Sequence, residues 1–154
     1  LKRTTRPNLN AVGTAISGTL VIHFAMILTV IFGREIGGML RYVGSGPFPA
    51  AMDMGTGGAV LGLLVHFTLM ALMAAVLMLF VRRRPQLLDK PILLGIAYGL
   101  LTYVIMNLLV VPLRFDTPLP PSALSIATQL FAHIVLVGIP MALVAARYLK
   151  PGAA

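Results

Sequence analysis

Read at helical spacing, the chain divides into four long apolar stretches separated by short runs of charge, glycine and proline. Residues 9–33, 57–81, 91–113 and 123–147 each meet the ~20-residue length a helix needs to cross the hydrocarbon of a bilayer. None carries an Asp, Glu, Lys or Arg in its interior. The expected architecture is an all-α integral membrane four-helix bundle, a single transmembrane domain over residues 1–154. The apolar part of the first stretch exceeds the ~7–15 residues of a secretory signal core, and no small-x-small cleavage site follows it. It is therefore expected to stay as a helix.

Residues four apart share a helix face, so that interval shows which side of each span differs from the lipid-like remainder. The stripe is Ala11, Ala15, Thr19 and His23 in the first span and Gly58, Gly62, His66 and Met70 in the second. In the third it is Gly95, Gly99, Tyr103 and Asn107, and in the fourth Ser125, Gln129 and His133. Small and polar side chains gather on these stripes while Leu, Ile, Val and Phe hold most of the rest, so all four are expected to face inward. The pairs Gly58/Gly62 and Gly95/Gly99 have the spacing that lets helices approach closely, or else they leave room for a flat macrocycle beside the histidines. Pro140 deprives the Leu136 carbonyl of its usual partner, which predicts a kink beside Gly138.

Between the first two spans, Ile36, Met39, Leu40 and Val43 recur at i, i+3, i+4 and i+7. That spacing predicts a short helix lying at the membrane interface, with Arg34 and Arg41 reaching water. Gly44, Gly46, Pro47 and Pro49 end it. The connection over 114–122 is proline-rich and therefore stiff, and Ser122 or Ser125 is placed to cap the last helix.

Composition supports the membrane reading: 58% of the 154 residues are hydrophobic and 10% charged, against roughly one quarter charged in soluble domains. The formal net charge of +8 is explained by where the basic residues lie. Lys2, Arg3, Arg6, Arg82, Arg83, Arg84, Lys90, Arg147 and Lys150 fall on one side of the bundle, and only Arg34, Arg41 and Arg114 on the other. Lys and Arg concentrate in cytoplasmic segments, which predicts a bacterial inner-membrane protein with both termini cytoplasmic and the loops 34–56 and 114–122 outside. The 82–84 run then sets topology and touches anionic headgroups. No basic stripe interleaved with aromatics occurs in a soluble segment, so nucleic acid is not an expected partner.

Candidate chemistry rests on three histidines, His23, His66 and His133, one in each of three spans. Counting at ~1.5 Å per residue from the ends of those spans puts each roughly 14 Å below the outer boundary. An ionisable side chain at that depth is costly and marks a functional site by default. Tyr103 falls at the same level, and Asn107 and Gln129 within about a turn of it. The candidate binding residues are therefore His23, His66, His133, Tyr103, Asn107 and Gln129, with His23, His66 and His133 as the candidate metal ligands. Several readings are open: neutral imidazoles acting as interhelical hydrogen-bonding groups, haem b held by two of the three, a zinc or copper site, or quinone and proton handling. Met70 is a further candidate axial ligand.

Catalytic groups are harder to find. Cysteine is absent, which removes thiolate and iron–sulfur chemistry. HExxH, phosphate-binding glycine loops and nucleophile–base pairs are missing. The four acidic residues all fall outside the predicted spans, so paired-carboxylate chemistry inside the bundle is excluded. No catalytic residue is assigned.

The runs GAVLGLLVHFTLMALMAA and GIAYGLLTYVIMNLLVVPLR, with GREIGGML and SGPFP between the first two spans, resemble an uncharacterised family of small four-span bacterial inner-membrane proteins. They are more distantly similar to the YagU-type inner-membrane proteins. The resemblance implies an inner-membrane four-helix fold and brings no assigned ligand residues. Together these features lead to the expectation of a non-enzymatic membrane subunit or small-ligand-binding module with a buried His/Tyr layer, partnered by a larger membrane complex or by copies of itself. A haem b electron carrier and an oligomeric transport or channel subunit are the alternatives.

Overall fold

The structure is a computed structural model that describes residues 8–149. Among the described residues it is helical with no strand, and five helices carry the fold. They are α1 (Leu9–Ile31), α2 (Ile36–Ser45), α3 (Gly55–Arg83), α4 (Pro91–Phe115) and α5 (Ala123–Leu149). Tight 3₁₀ turns over Pro49–Asp53 and Pro85–Asp89 join α2 to α3 and α3 to α4. The helices α1, α3, α4 and α5 are each long and apolar enough to cross a membrane. The chain is thus an all-α, multi-pass membrane protein.

Local chemistry fixes the helix ends. The Asn8 side chain accepts from the Ala11 amide at 3.4 Å and Ser122 accepts from the Ser125 amide at 3.2 Å, each taking up an orphan N–H of a first turn. At the far end of α1, Gly33 adopts φ +66°. Its amide and that of Arg34 bond back to the Val30 and Thr29 carbonyls, closing the helix in the left-handed cap that glycine favours.

Within the bundle α1 lies between α3 and α5, and α5 between α1 and α4. The main core sits toward the end where the described chain begins and finishes, built from Ala74, Leu77 and Val81 of α3 and Val137, Met141 and Ala145 of α5. Near that end the Tyr98 hydroxyl donates to the Met73 carbonyl at 2.6 Å, linking α4 to α3.

The other end, the loop end, is organised by α2. This short amphipathic helix, Ile36–Ser45, forms where the apolar spacing placed it and packs on α3, with the backbone of Gly44 against Gly58 and Gly62. A Cβ on Gly62 would collide with the Leu40 carbonyl, and one on Gly58 with that of Ala51. The Gly58/Gly62 pair therefore receives the α2 segment and leaves no space for a macrocycle. From the end of α4, the Arg114 guanidinium donates to the Ser45 carbonyl at 2.7 Å and to that of Gly46, capping the last carbonyls of α2. Tyr42 stacks on Phe115 with ring centroids 4.4 Å apart. Partial burial raises the Tyr42 phenol above its ordinary pKa, while Arg114 pulls it down. Arg41 pairs with the exposed Glu35 at 3.3 Å.

Candidate functional site

Two wide turns position the site. Residues Val104–Val110 of α4 and Ala132–Gly138 of α5 form π-helical segments, closed by i→i−5 bonds from Val111 to Met106 and from Ile139 to Ile134. Each ends two residues before a proline, Pro112 or Pro140. Proline has no N–H to give the carbonyl four residues back and its ring crowds that carbonyl, so the turn ahead of it widens. The wide turn of α5 lies where Pro140 was expected to kink the helix, and a second one precedes Pro112 on the neighbouring helix.

Asn107 sits in the first wide turn and His133 in the second. Between them the glycine pair of α4 brings the helices together, since a Cβ on Gly99 would lie 2.6 Å from Ile134 Cα and one on Gly95 2.6 Å from Ile139 Cα. At that separation side chains meet across the interface. The Thr102 hydroxyl donates to the Gly99 carbonyl at 3.0 Å, so its oxygen accepts from Nδ1–H of His133, also at 3.0 Å. Nε2 of His133 then carries the lone pair and accepts from the Asn107 amide at 3.0 Å. This relay fixes one neutral tautomer and engages both ring nitrogens. The Tyr103 ring stands edge-on to His133, centroids 6.1 Å apart.

Above the relay, toward the loop end, lies a hollow of about 200 Å³. Tyr103 and Asn107 form its floor, Ser125 part of its wall, and Thr117, Pro118 and Ser122 of the proline-rich connection its roof. No ionisable group other than the Tyr103 phenol lines it.

The remaining candidates lie elsewhere. His66 is buried on α3 and donates from Nε2 to the Gly18 carbonyl of α1 at 2.9 Å. Gly18 permits this approach, since the Phe67 ring already lies 2.6 Å from where its Cβ would stand. Gln129 is half-buried, one turn nearer the loop end than His133.

His23 departs most from expectation. Ala11, Ala15, Thr19 and His23 are exposed on the outer surface of the bundle. The buried side of α1 is instead Gly13, Ser17, Gly18, Ile22 and Thr29. Gly13 and Ser17 stand two positions from Ala11 and Ala15, ~200° around the helix. Gly13 and Gly18 are the smaller residues and admit α3 and α5, leaving the alanine stripe outside.

The three imidazoles thus occupy three separate places, and among the described residues no group of three His, Cys, Asp or Glu is arranged to hold a metal ion. Haem ligation by two histidines needs two free nitrogens facing one another across a slot. In this arrangement both nitrogens of His133 are engaged, His66 binds Gly18 through Nε2 inside the bundle, and His23 stands on its outer surface, so no two of the three face one another across a slot. The donor set does not fit a haem or a tetrahedral metal site.

Sequence reasoning missed Thr102 as a direct partner of His133, and it missed Pro112, whose signal was available as a second proline within a span. Family models, curated proteins and solved structures offer no match to this chain.

Proposed function

We propose that this chain is a non-enzymatic ligand-binding module of the bacterial inner membrane, oriented with both termini in the cytoplasm, and that it takes a small, neutral, polar ligand from the outer side. The observation that carries the reading is the hollow above the Asn107–His133–Thr102 relay. It is polar at its floor and lacks a charged side chain, so an ionic ligand would remain uncompensated there. With one amide hydrogen given to His133, Asn107 keeps its carbonyl oxygen as an acceptor. Tyr103 supplies a hydroxyl that both donates and accepts. A ligand with N–H or O–H groups and few heavy atoms matches that inventory.

Histidine-selective ¹⁵N NMR in bilayer nanodiscs tests the reading, with glycerol, urea and acetamide as probes. At least one probe is expected to move the His133 ring resonances at millimolar concentration while leaving His23 unmoved, and Asn107→Leu should abolish the response. If no probe moves His133, or if the shift survives Asn107→Leu, the hollow is not the site. Catalytic turnover by the purified chain alone would overturn the non-enzymatic part of the proposal.

A further inference from the structure

The outward stripe of α1 carries two hydrogen-bonding groups that nothing in the described chain satisfies. His23 donates from Nδ1 to the Thr19 carbonyl at 2.8 Å, which leaves Nε2 with a lone pair and no partner. Nearby, the Thr19 hydroxyl makes no bond, whereas those of Thr29, Thr68 and Thr128 return to carbonyls of their own helices. A free acceptor and a free donor therefore face the hydrocarbon side by side, where lipid chains offer neither.

We infer that this face of α1 is the contact between two copies of the chain. Copies in one membrane share an orientation, so a two-fold axis along the membrane normal sets equal depths against each other, and each contact is made twice. Helical side chains lean toward the N-terminus, and the Nδ1 bond to the Thr19 carbonyl draws the His23 ring back toward the level of Thr19. At that level the Thr19 hydroxyl of each copy meets Nε2 of His23 in the other. The pairing is self-complementary and uses both unsatisfied groups without changing a tautomer.

The steric pattern agrees. Ala11 and Ala15 continue the stripe at four-residue spacing, all of it exposed, and small residues in that register let two helices approach closely enough for side chains to bond. Thr19 and His23 themselves line a groove of about 400 Å³ between α1 and α5, together with Leu20, Phe24, Phe131 and Leu136, and it can accept the flanking apolar side chains of the second copy.

Because the chain has no cysteine, Ala15→Cys introduces a single thiol at the proposed contact. Oxidation in membranes at low protein density is expected to give a disulfide-linked dimer, whereas Leu64→Cys, exposed on α3, stays monomeric under the same treatment. An interhelical hydrogen bond in a membrane changes association by a factor of roughly 3, so removing both with Thr19→Val weakens dimerisation about eightfold. His23→Leu weakens it to a similar extent. Single-molecule photobleaching in bilayers reads the affinity, and thermal melting of the isolated variants confirms that the surface changes leave the fold intact. A monomeric wild type, equal cross-linking at positions 15 and 64, or a dimer indifferent to Thr19→Val each overturns the proposal. So does Ala15→Cys linking only to a different protein.

Discussion

Asn107 and His133 hydrogen-bond at 3.0 Å because two prolines widen the turns that carry them. The pair joins α4 to α5 on the loop side of the close glycine contact, and the single tautomer it enforces depends on Thr102 on the other side of the ring.

That dependence is measurable as a coupling. In a double-mutant cycle of Asn107→Leu and His133→Leu, followed by unfolding in mixed micelles, the interaction energy should be near 0.6 kcal/mol and no more than about 1.7 kcal/mol, the range of interhelical hydrogen bonds in membranes. A coupling near zero would mean that the side chains do not meet.

Restoring the missing donor should undo the geometry. Pro112→Ala gives α4 back an N–H at the position where the wide turn ends, allowing it to close as an ordinary α-turn. Removing one residue's worth of slack rotates Asn107 by ~100° relative to the following turn, away from His133. The ¹⁵N resonance of His133 Nε2 is expected to move toward that of a nitrogen without a donor, and an unchanged resonance would contradict the role assigned to Pro112.

The glycine contacts differ sharply in what they tolerate. Gly99→Ala places a methyl 2.6 Å from Ile134 Cα, a backbone atom that cannot rotate away, so it should cost ~1–3 kcal/mol of stability through overpacking. Gly57→Ala should be close to neutral, since its nearest neighbour is the flexible end of Met54 at 3.9 Å. Equal melting temperatures for the two variants would be inconsistent with the α4–α5 contact.

Arg114 should hold α2 in place. Arg114→Gln removes the fork that binds the Ser45 and Gly46 carbonyls, and leaving such groups unpaired costs ~1–3 kcal/mol. Faster hydrogen exchange is expected across residues 36–48, with the Met70–Val81 core unchanged. Uniform acceleration over both would show that the effect is global rather than local.

Much of the architecture was legible because the bilayer imposes it. Backbone groups in hydrocarbon must be paired within their own segment, so uncharged stretches of sufficient length become helices whatever they pack against. The short helix α2 announced itself by its apolar spacing, and Ser122 by its capping chemistry. Placement was harder. The glycines at 58 and 62 signalled a close approach but not its partner, which proved to be α2. On α1, alanine–threonine and glycine–serine stripes stand on opposite faces. Both satisfy the same small-residue rule, and nothing local distinguishes inside from outside when lipid is as apolar as the core.

The sequence by itself therefore determined the four spans, the short helix between the first two, and the polar groups that must be accommodated within them. Only the tertiary structure decided that His133 meets Asn107 and Thr102, that His66 meets Gly18, and that His23 faces out. Helix formation follows from local backbone pairing, whereas the rotation and neighbours of each helix follow from which small surfaces fit together across the whole bundle.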